Sequence, residues 1–150
     1  MAVTNLKSVL KSLEKFGDEA KQMVSDTTHQ SAENIARDAK AKAPTNKIVG
    51  YGGFLRDQIF TKEVDALNYE IVAGAYYSAY MEFGTGGSVN LSHLTEAGFP
   101  KSFAEKFKGN NIREVNITAK PFLFPALIKG RVKYLEDLID LLSDLTKKYN

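Results

Sequence analysis

The chain has 150 residues, the size of one ordinary domain, so we expect a single domain over residues 1–150. With 43% hydrophobic and 25% charged residues, its composition excludes wholesale disorder and a coiled-coil rod. The absence of cysteine excludes a disulfide scaffold, a thiol nucleophile and a Cys-based metal site, and the two histidines argue against a histidine-rich one. No stretch approaches the roughly 18 apolar residues that span a bilayer, and the N-terminus lacks a signal-peptide core.

The net charge of +2 hides an uneven distribution along the chain. Residues 1–50 carry 8 basic and 6 acidic residues, 51–100 carry 2 and 6, and 101–150 carry 10 and 6. This polarity favours a protein that meets differently charged neighbours on different surfaces. An uneven but solvated surface is the alternative.

A long amphipathic helix is predicted at the start of the chain, from Leu6 to Ala43, because apolar residues recur there at helical spacing. Residues 1–30 form an N-terminal helical extension in this reading. Gly17 and the run 25–28 are the expected places for a break, since both favour turns or caps. Pro44 ends the helix, because it disfavours the helical conformation of the preceding residue.

Two strands and a short helix follow a glycine-containing loop. Residues 55–64 and 69–74 alternate as β-strands do, and the intervening 65–68 has hairpin length. Residues 75–83 carry aromatic side chains at a spacing that suits a short helix, which Gly84 ends.

The remainder of the chain is predicted as an irregular stretch, a third strand and a final helix. Residues 86–111 form an inserted loop whose only helical patch is 101–107, and a loop of this length is usually functional or ordered on binding. Residues 112–119 alternate as a third strand. Pro125 is expected at the first position of the last helix. The order α-β-β-α-β-α predicts an α+β fold: a small antiparallel sheet packed against a long N-terminal helix and a C-terminal helix.

The sequence contains almost no residue pattern that is typical of a catalytic site. The glycines at 50–53 lack the Gly-Lys-Ser/Thr of a phosphate loop. Glu82 follows an aromatic cluster and could serve as a general acid in a small hydrolase, the weakest of three readings, but lone carboxylates near glycine turns mostly pair or cap. Asp137, Asp140 and Asp144 are assigned to a solvated helix face. We therefore predict a protein that is not an enzyme and has no cofactor or metal.

Three islands of sequence resemble the tail-completion, or head–tail joining, proteins of long-tailed bacteriophages, a family that includes minor tail protein Z. The first runs from Ala39 to Pro44 and, after a loop, from Gly53 to Ile59 (AKAKAP and GFLRDQI). The second is AYYSAYMEFGT at 75–85, and the third is AKPFLFPA at 119–126. Their order and the Glu-Phe-Gly-Thr core make the combination specific.

The resemblance implies a structural virion part in the neck of the particle, synthesised in the host bacterial cytoplasm. Its expected partners are further copies in a ring (a hexamer favoured, a dodecamer as the alternative), head connector or adaptor proteins, and the tail tube or tail terminator. DNA would pass through the channel without sequence-specific binding, and no membrane is involved. The expected interface residues are Arg56, Tyr76, Tyr77, Tyr80, Glu82, Phe83, Gly84, Thr85, Pro121, Phe122, Phe124, Lys129, Arg131 and Lys133.

The chemistry of individual residues in the islands indicates how some of them are expected to contact one another. Glycines after Glu82 permit a tight corner that aims its carboxylate, and Arg56 is its expected partner, because Arg–carboxylate pairs fix orientation well. Residues 122–124 cannot all face one core, so at least one is expected to meet a neighbouring subunit. Tyr76, Tyr77 and Tyr80 favour packing over base stacking, since residues 57–100 hold a single Lys and no Arg.

A nucleic-acid-binding module is the alternative function, because residues 101–133 hold 8 basic and 2 acidic residues. Lys129, Arg131 and Lys133 lie in the first turns of the last helix, where its dipole disfavours positive charge. This order indicates an external partner, and a protein neighbour is favoured over DNA, since a channel through which DNA slides should avoid strong attraction.

Overall fold

A computed structural model describes residues 3–45, 53–105, 107 and 116–149, with side chains from residue 9 onward in the first of these ranges. It confirms the α+β class. The elements are α1 (Val3–Lys42), α2 (Phe54–Asp57), β1 (Ile59–Asp65), β2 (Asn68–Ala73), α3 (Ser78–Phe83), a 3-10 turn (Gly86–Ser88), α4 (Ser92–Glu96), α5 (Ser102–Glu105) and α6 (Leu123–Tyr149).

Helix α1 runs for 40 residues without the break expected near its middle. The hydroxyls of Thr27 and Thr28 donate hydrogen bonds to the carbonyls of Met23 and Val24, four residues earlier. These side chains therefore bond within the helix instead of ending it. No atom lies within 4 Å of the position that a Cβ of Gly17 would occupy, so Gly17 destabilises the helix only through the low helix propensity of glycine.

The two-stranded antiparallel sheet of β1 and β2 packs against α1. Ile59 pairs with Ala73 in the register of the hairpin. On the α1 side, Thr61 donates a hydrogen bond to Glu33, and the Tyr69 and His29 rings lie 5.3 Å apart. The first strand was expected from residue 55, which is wrong. Residues 54–57 form a helical turn closed by a hydrogen bond from the Asp57 N–H to the Gly53 carbonyl, and this turn buries Leu55.

Helices α1 and α6 lie side by side and run antiparallel. The rings of Phe16 and Tyr149 are 5.3 Å apart, and the hydroxyls of Thr28 and Tyr134 are 2.9 Å apart. Gly130 allows a close approach, because a Cβ atom there would lie 2.1 Å from Cγ1 of Ile35. In the described part of the chain, no helix is both long and apolar enough to cross a membrane.

Two clusters of buried side chains form the core. The first joins α1, the hairpin and the start of α6, and its members are Ile35, Ala36, Ala39, Ala43, Leu55, Ile59, Ala75, Phe122 and Ala126. The second joins α3 to α4, α5 and α6, and its members are Phe83, Leu94, Ala104 and Phe124. Helix α6 contributes to both, so it holds the two clusters together.

The stretch before α6 differs from expectation in three ways. Residues 86–111 were expected to hold one helical patch, but the structure also has α4 there. Leu94 of α4 is buried in the second cluster and so anchors this stretch to the core. Residues 116–119 lie in neither helix nor strand, so this part of the predicted third strand is wrong, while 112–115 lie outside the described residues. Pro125 occupies the third position of α6 rather than the first.

Candidate assembly site

Glu82 holds the N-terminus of α6 from a position 40 residues earlier in the chain. Its side chain is 4% exposed. Oε2 accepts hydrogen bonds from the N–H groups of Phe122 (2.8 Å) and Leu123 (2.9 Å), and Oε1 accepts one from Phe124 (3.0 Å). The carboxylate thus satisfies N–H groups that a helix start leaves without partners and places negative charge at the positive end of the helix dipole.

Pro125 completes this arrangement. An α-helix leaves its first four N–H groups without intrahelical acceptors. Here three of them, at residues 122–124, donate to Glu82, and the fourth position is a proline, which has no N–H. Every donor at this buried helix start is therefore accounted for, and the PFLFP segment is tied to α3.

The Gly84–Thr85 corner that follows Glu82 fixes the same segment from its other side. Gly84 has φ +77° and ψ −171°, a conformation open in practice only to glycine. A Cβ atom there would lie 2.6 Å from the Ser88 carbonyl oxygen and 2.7 Å from that of Ile117. Thr85 exchanges two hydrogen bonds with Ile117: its N–H donates to the Ile117 carbonyl (2.9 Å), and its Oγ1 accepts from the Ile117 N–H (2.8 Å).

The three sequence islands therefore meet in space. Ala39, Leu55 and Ile59 from the first island, Ala75 from the second and Phe122 from the third share one buried cluster. The second and third islands are further joined through Glu82 and Thr85. We call the corner formed by residues 82–85 together with 117–125 the α6 clamp. The clamp fixes the direction in which α6 leaves the core.

Arg56 does not pair with Glu82, contrary to expectation. Its guanidinium lies 3.3 Å from Asp57 of the same turn, on the surface, while Glu82 is buried and fully engaged by backbone donors. Backbone N–H groups therefore replace the expected guanidinium. Both oxygens of Glu82 are committed to the helix start, which gives this carboxylate a structural role rather than that of a general acid.

Residues 122–124 were expected to send at least one side chain to a neighbouring subunit, and within the chain all three find packing partners. Phe122 is buried in the first cluster, Phe124 in the second, and Leu123 is half-buried against the first. Because α6 begins between two clusters, successive side chains reach different cores. Pro121 beside them is half-buried.

Two of the three predicted tyrosines, Tyr76 and Tyr80, are exposed. Tyr76 is 87% exposed, and its ring centroid lies 5.1 Å from that of the half-buried Tyr77. Tyr80 is exposed on one side and packs edge-to-face on Phe107 at 5.4 Å, and Phe83 behind it is buried. Tyr76 is thus the aromatic side chain of this group that a partner would reach first.

The three basic residues at the start of α6 are all exposed, and two of them have partners within the chain. Lys129 lies 3.1 Å from Asp38 of α1, and Lys133 lies 2.7 Å from Asp137. The hydrogen bond to Asp137 and the charge of that carboxylate raise the pKa of Lys133. Arg131 has no hydrogen bond or ion pair to any residue that the structure describes. The sequence analysis named neither pair: the first joins two separate helices, and the second is a contact at i, i+4 within α6.

Sequence reasoning also missed a set of apolar side chains that the fold leaves outside. Val132, Leu135, Ile139 and Leu142 of α6 are each about half exposed or more, and so are Val9, Leu10 and Leu13 of α1. Helix α1 covers only part of the apolar face of α6, so these side chains stay outside the core. In the residues that the structure describes, no three His, Cys, Asp or Glu side chains are grouped to hold a metal ion.

A rigid clamp whose polar groups are used internally, carrying long helices with uncovered apolar stripes, is typical of a structural protein that assembles with other protein surfaces. Residues 7–84, which are 78 of 150, match the family described as "Bacteriophage HK97-gp10, putative tail-component". The chain belongs to this HK97-gp10-like family and is a bacteriophage tail component with a structural role. No curated protein and no solved structure matches the chain.

The matched range contains the first island and the second island as far as Gly84. It therefore includes Glu82 of the clamp but stops before the 117–125 segment that Glu82 binds. The third island lies outside the matched range and is joined to the second by the hydrogen bonds of Glu82.

Proposed function

We propose that this protein is a ring subunit of the phage neck, which completes the tail and joins it to the head connector. Membership in a tail-component family supports a place in the virion. The observation that carries the finer proposal is the apolar surface on both long helices, which the chain itself does not cover. A closed head-to-tail contact between identical subunits generates such a ring.

The energetics favour a subunit that assembles on a template. Burying the exposed half of one aliphatic side chain contributes about 1 kcal/mol, so the seven half-exposed side chains of α1 and α6 supply about 7 kcal/mol. Association of two proteins costs about 4–15 kcal/mol in lost freedom. One such contact is therefore marginal, and we expect the free chain to be largely monomeric until the tail end or the connector gathers several copies.

The proposed ring has six copies, with twelve as the alternative, and meets connector or adaptor proteins on one side and the tail tube or terminator on the other. DNA passes through its lumen without sequence-specific contacts. The pairing of Lys129 and Lys133 with carboxylates of the same chain argues against a basic surface devoted to DNA.

Deleting the gene in a phage that encodes this protein tests the proposal. We expect filled heads and finished tails that stay separate, with joining restored by the wild-type gene. Cryo-electron microscopy of complemented particles should then show a ring of this chain at the head–tail junction. Normal particles without the protein, or a single copy away from the tail axis, would refute the proposal.

The basic start of α6 has its own test, substitution of Lys129, Arg131 and Lys133 by Gln. If these charges meet a protein neighbour, heads and tails should accumulate unjoined. Normal joining with slowed DNA ejection would indicate that they face the lumen instead. Particles that behave like the wild type would show that the charges are only solvated.

A further inference from the structure

One side of α6 carries a row of apolar side chains that the chain does not cover. Val132, Leu135, Ile139 and Leu142 are between 49% and 67% exposed, and we call these four the α6 stripe. Tyr134, which bonds to Thr28 of α1, lies about a third of a turn round α6 from the stripe. Helix α1 therefore packs beside the stripe and leaves room on it for a second helix.

The α6 stripe has the spacing and the residue types of a parallel two-stranded coiled coil. Its members follow one another at intervals of three, four and three residues, which are the a and d positions of a heptad. The a positions hold the β-branched Val132 and Ile139, and the d positions hold Leu135 and Leu142. This combination favours two parallel strands. A parallel pair in register sets each side chain beside its own counterpart, so both halves of the contact have the same length and spacing.

The charges that flank the stripe complement each other between two copies. Arg131 and Glu136 occupy g and e positions, both are exposed, and neither has an ion pair with any residue that the structure describes. In a parallel pair a g residue meets the e residue five positions later in the partner, so Arg131 of each copy reaches Glu136 of the other. Within one chain the two residues are about 140° apart round α6 and face different edges of the stripe. Residues 131–149 carry four basic and four acidic residues, so net charge does not oppose the pair.

Other arrangements of two copies lack this match. An antiparallel α6 pair sets the edge that carries Glu136 against the same edge of its partner, which brings like charges together. The exposed apolar residues near the start of α1 carry no cation beside them, because Lys11 and Lys15 lie on the face opposite Leu13.

We infer that the α6 stripe binds the α6 stripe of a second copy, parallel and in register. Such a contact is two-fold and cannot propagate, so it is not the contact that builds a ring and belongs to the protein before assembly. It uses four half-exposed side chains from each copy, so it is weak, and we expect it at high concentration of a chain that is otherwise largely monomeric. The pair covers part of the apolar surface on which the proposed ring depends. Its role, to keep the stripe covered until assembly, rests on the proposed function.

Disulfide cross-linking tests the pair, since the natural chain has no cysteine. Val132→Cys and Ile139→Cys should each give linked dimers under mild oxidation of the concentrated protein, because a parallel pair in register holds each residue near its own counterpart. The matched control Asp140→Cys is exposed about a third of a turn from the stripe and should give few dimers. Dimers of the stripe variants no more abundant than those of Asp140→Cys would overturn the pair. So would efficient links between Val132→Cys and Leu142→Cys without Val132→Cys homodimers, since these indicate antiparallel helices.

A charge exchange provides the second measurement. In the Ile139→Cys chain, Arg131→Glu should lower the yield of dimers at least about fivefold, because it sets two acidic residues against each other at both edges of the pair. The exchange Arg131→Glu/Glu136→Arg should restore the yield, since it reverses both partners of each contact. A yield that ignores Arg131→Glu, or that the exchange does not restore, would overturn the proposed register.

The role before assembly is tested by joining heads and tails from the gene deletion in vitro with purified Ile139→Cys protein. The reduced protein should join them, the oxidised dimer should not, and a reductant should restore joining. An oxidised dimer that joins as well as the reduced protein would overturn this role. If Ile139→Cys links to a different virion protein in infected cells, without the homodimer, the stripe belongs to that protein and the pair is wrong. Failure of the deletion phenotype would remove the proposed function and leave the cross-linked pair, whereas failure of the cross-links would do the reverse.

Discussion

Removing the carboxylate of Glu82 should destabilise the protein more than any surface substitution. Glu82→Ala leaves three buried N–H groups without an acceptor, at sites where the bonds are now 2.8, 2.9 and 3.0 Å long. Breaking a buried charged network in this way costs about 3–5 kcal/mol of unfolding free energy. Glu82→Gln keeps one acceptor oxygen but turns an amide NH₂ toward the helix start, so we expect a loss of about 1.5–3 kcal/mol.

The assay is equilibrium unfolding in urea, followed by circular dichroism at neutral pH. Glu70→Gln is the matched control, because Glu70 also pairs through its carboxylate, with Lys62 at 3.2 Å, but on the surface. Exposed pairs contribute about 0–1 kcal/mol. If Glu82→Gln changed the unfolding free energy no more than Glu70→Gln does, the clamp would not hold α6 and the reasoning would fail.

Three further predictions concern the clamp and the α1–α6 pair. Gly84→Ala should cost about 3 kcal/mol or more, measured by urea unfolding, because the backbone conformation and the nearby backbone atoms of Ser88, Ile117 and Ala119 all oppose a Cβ. Gly130→Ala should cost about 1–3 kcal/mol through its clash with Ile35, measured by thermal unfolding. The hydrogen bond from Lys148, and after it the one from Tyr149, lower the pKa of Glu19 below its ordinary value of 4.5. The contact of Glu19 with the end of α6 therefore stabilises the fold above pH 4.5 and is lost as the pH falls through the lowered pKa of Glu19. Amide exchange should show the end of α6 opening in that acidic range.

Each of these has a control within the chain. Gly87→Ala, with open space around the added methyl group, should cost far less than Gly84→Ala. In an Ile35→Ala background the clash disappears, so Gly130→Ala should become stabilising by up to about 1 kcal/mol, and a persistent loss would contradict the packing explanation. Glu19→Gln should make the protection factors of the amides at the end of α6 nearly independent of pH, and an unchanged acid transition in protection would assign it to other groups.

The sequence predicted the elements with long periodicity and missed those set by distant partners. Helix α1 was predicted to within three residues at its start and one at its end, because its apolar stripe spans many turns. Its continuity through Thr27 and Thr28 was not foreseen, since their hydroxyls can equally well end a helix. Residues 55–57 were predicted as strand, which is wrong, because a helical turn of four residues is too short to show a period.

The candidate site was located by its residues but not by its contacts. The islands at 75–85 and 119–126 were singled out, and the structure brings them together through Glu82. Its partner was predicted as Arg56, since side-chain charge pairs can be read from a sequence, whereas backbone N–H groups 40 residues away cannot. The exposed apolar side chains of α6 were not predicted, because helical periodicity shows that a helix has an apolar face but does not show how much of that face other elements bury.

The antiparallel contact of α1 with α6 also bears on when the chain can fold during synthesis. The contacts of Phe16 and Glu19 with Tyr149 join residues at least 130 positions apart, a high contact order for a mostly helical protein. At about 5–20 residues per second, α6 emerges from the ribosome roughly 5–20 s after α1. During that interval Ala36 and Ala39 of α1 lack the part of the first cluster that the start of α6 supplies, and Glu82 has no helix start to bind. The α1–α6 pair of a chain therefore cannot form until translation has passed α6.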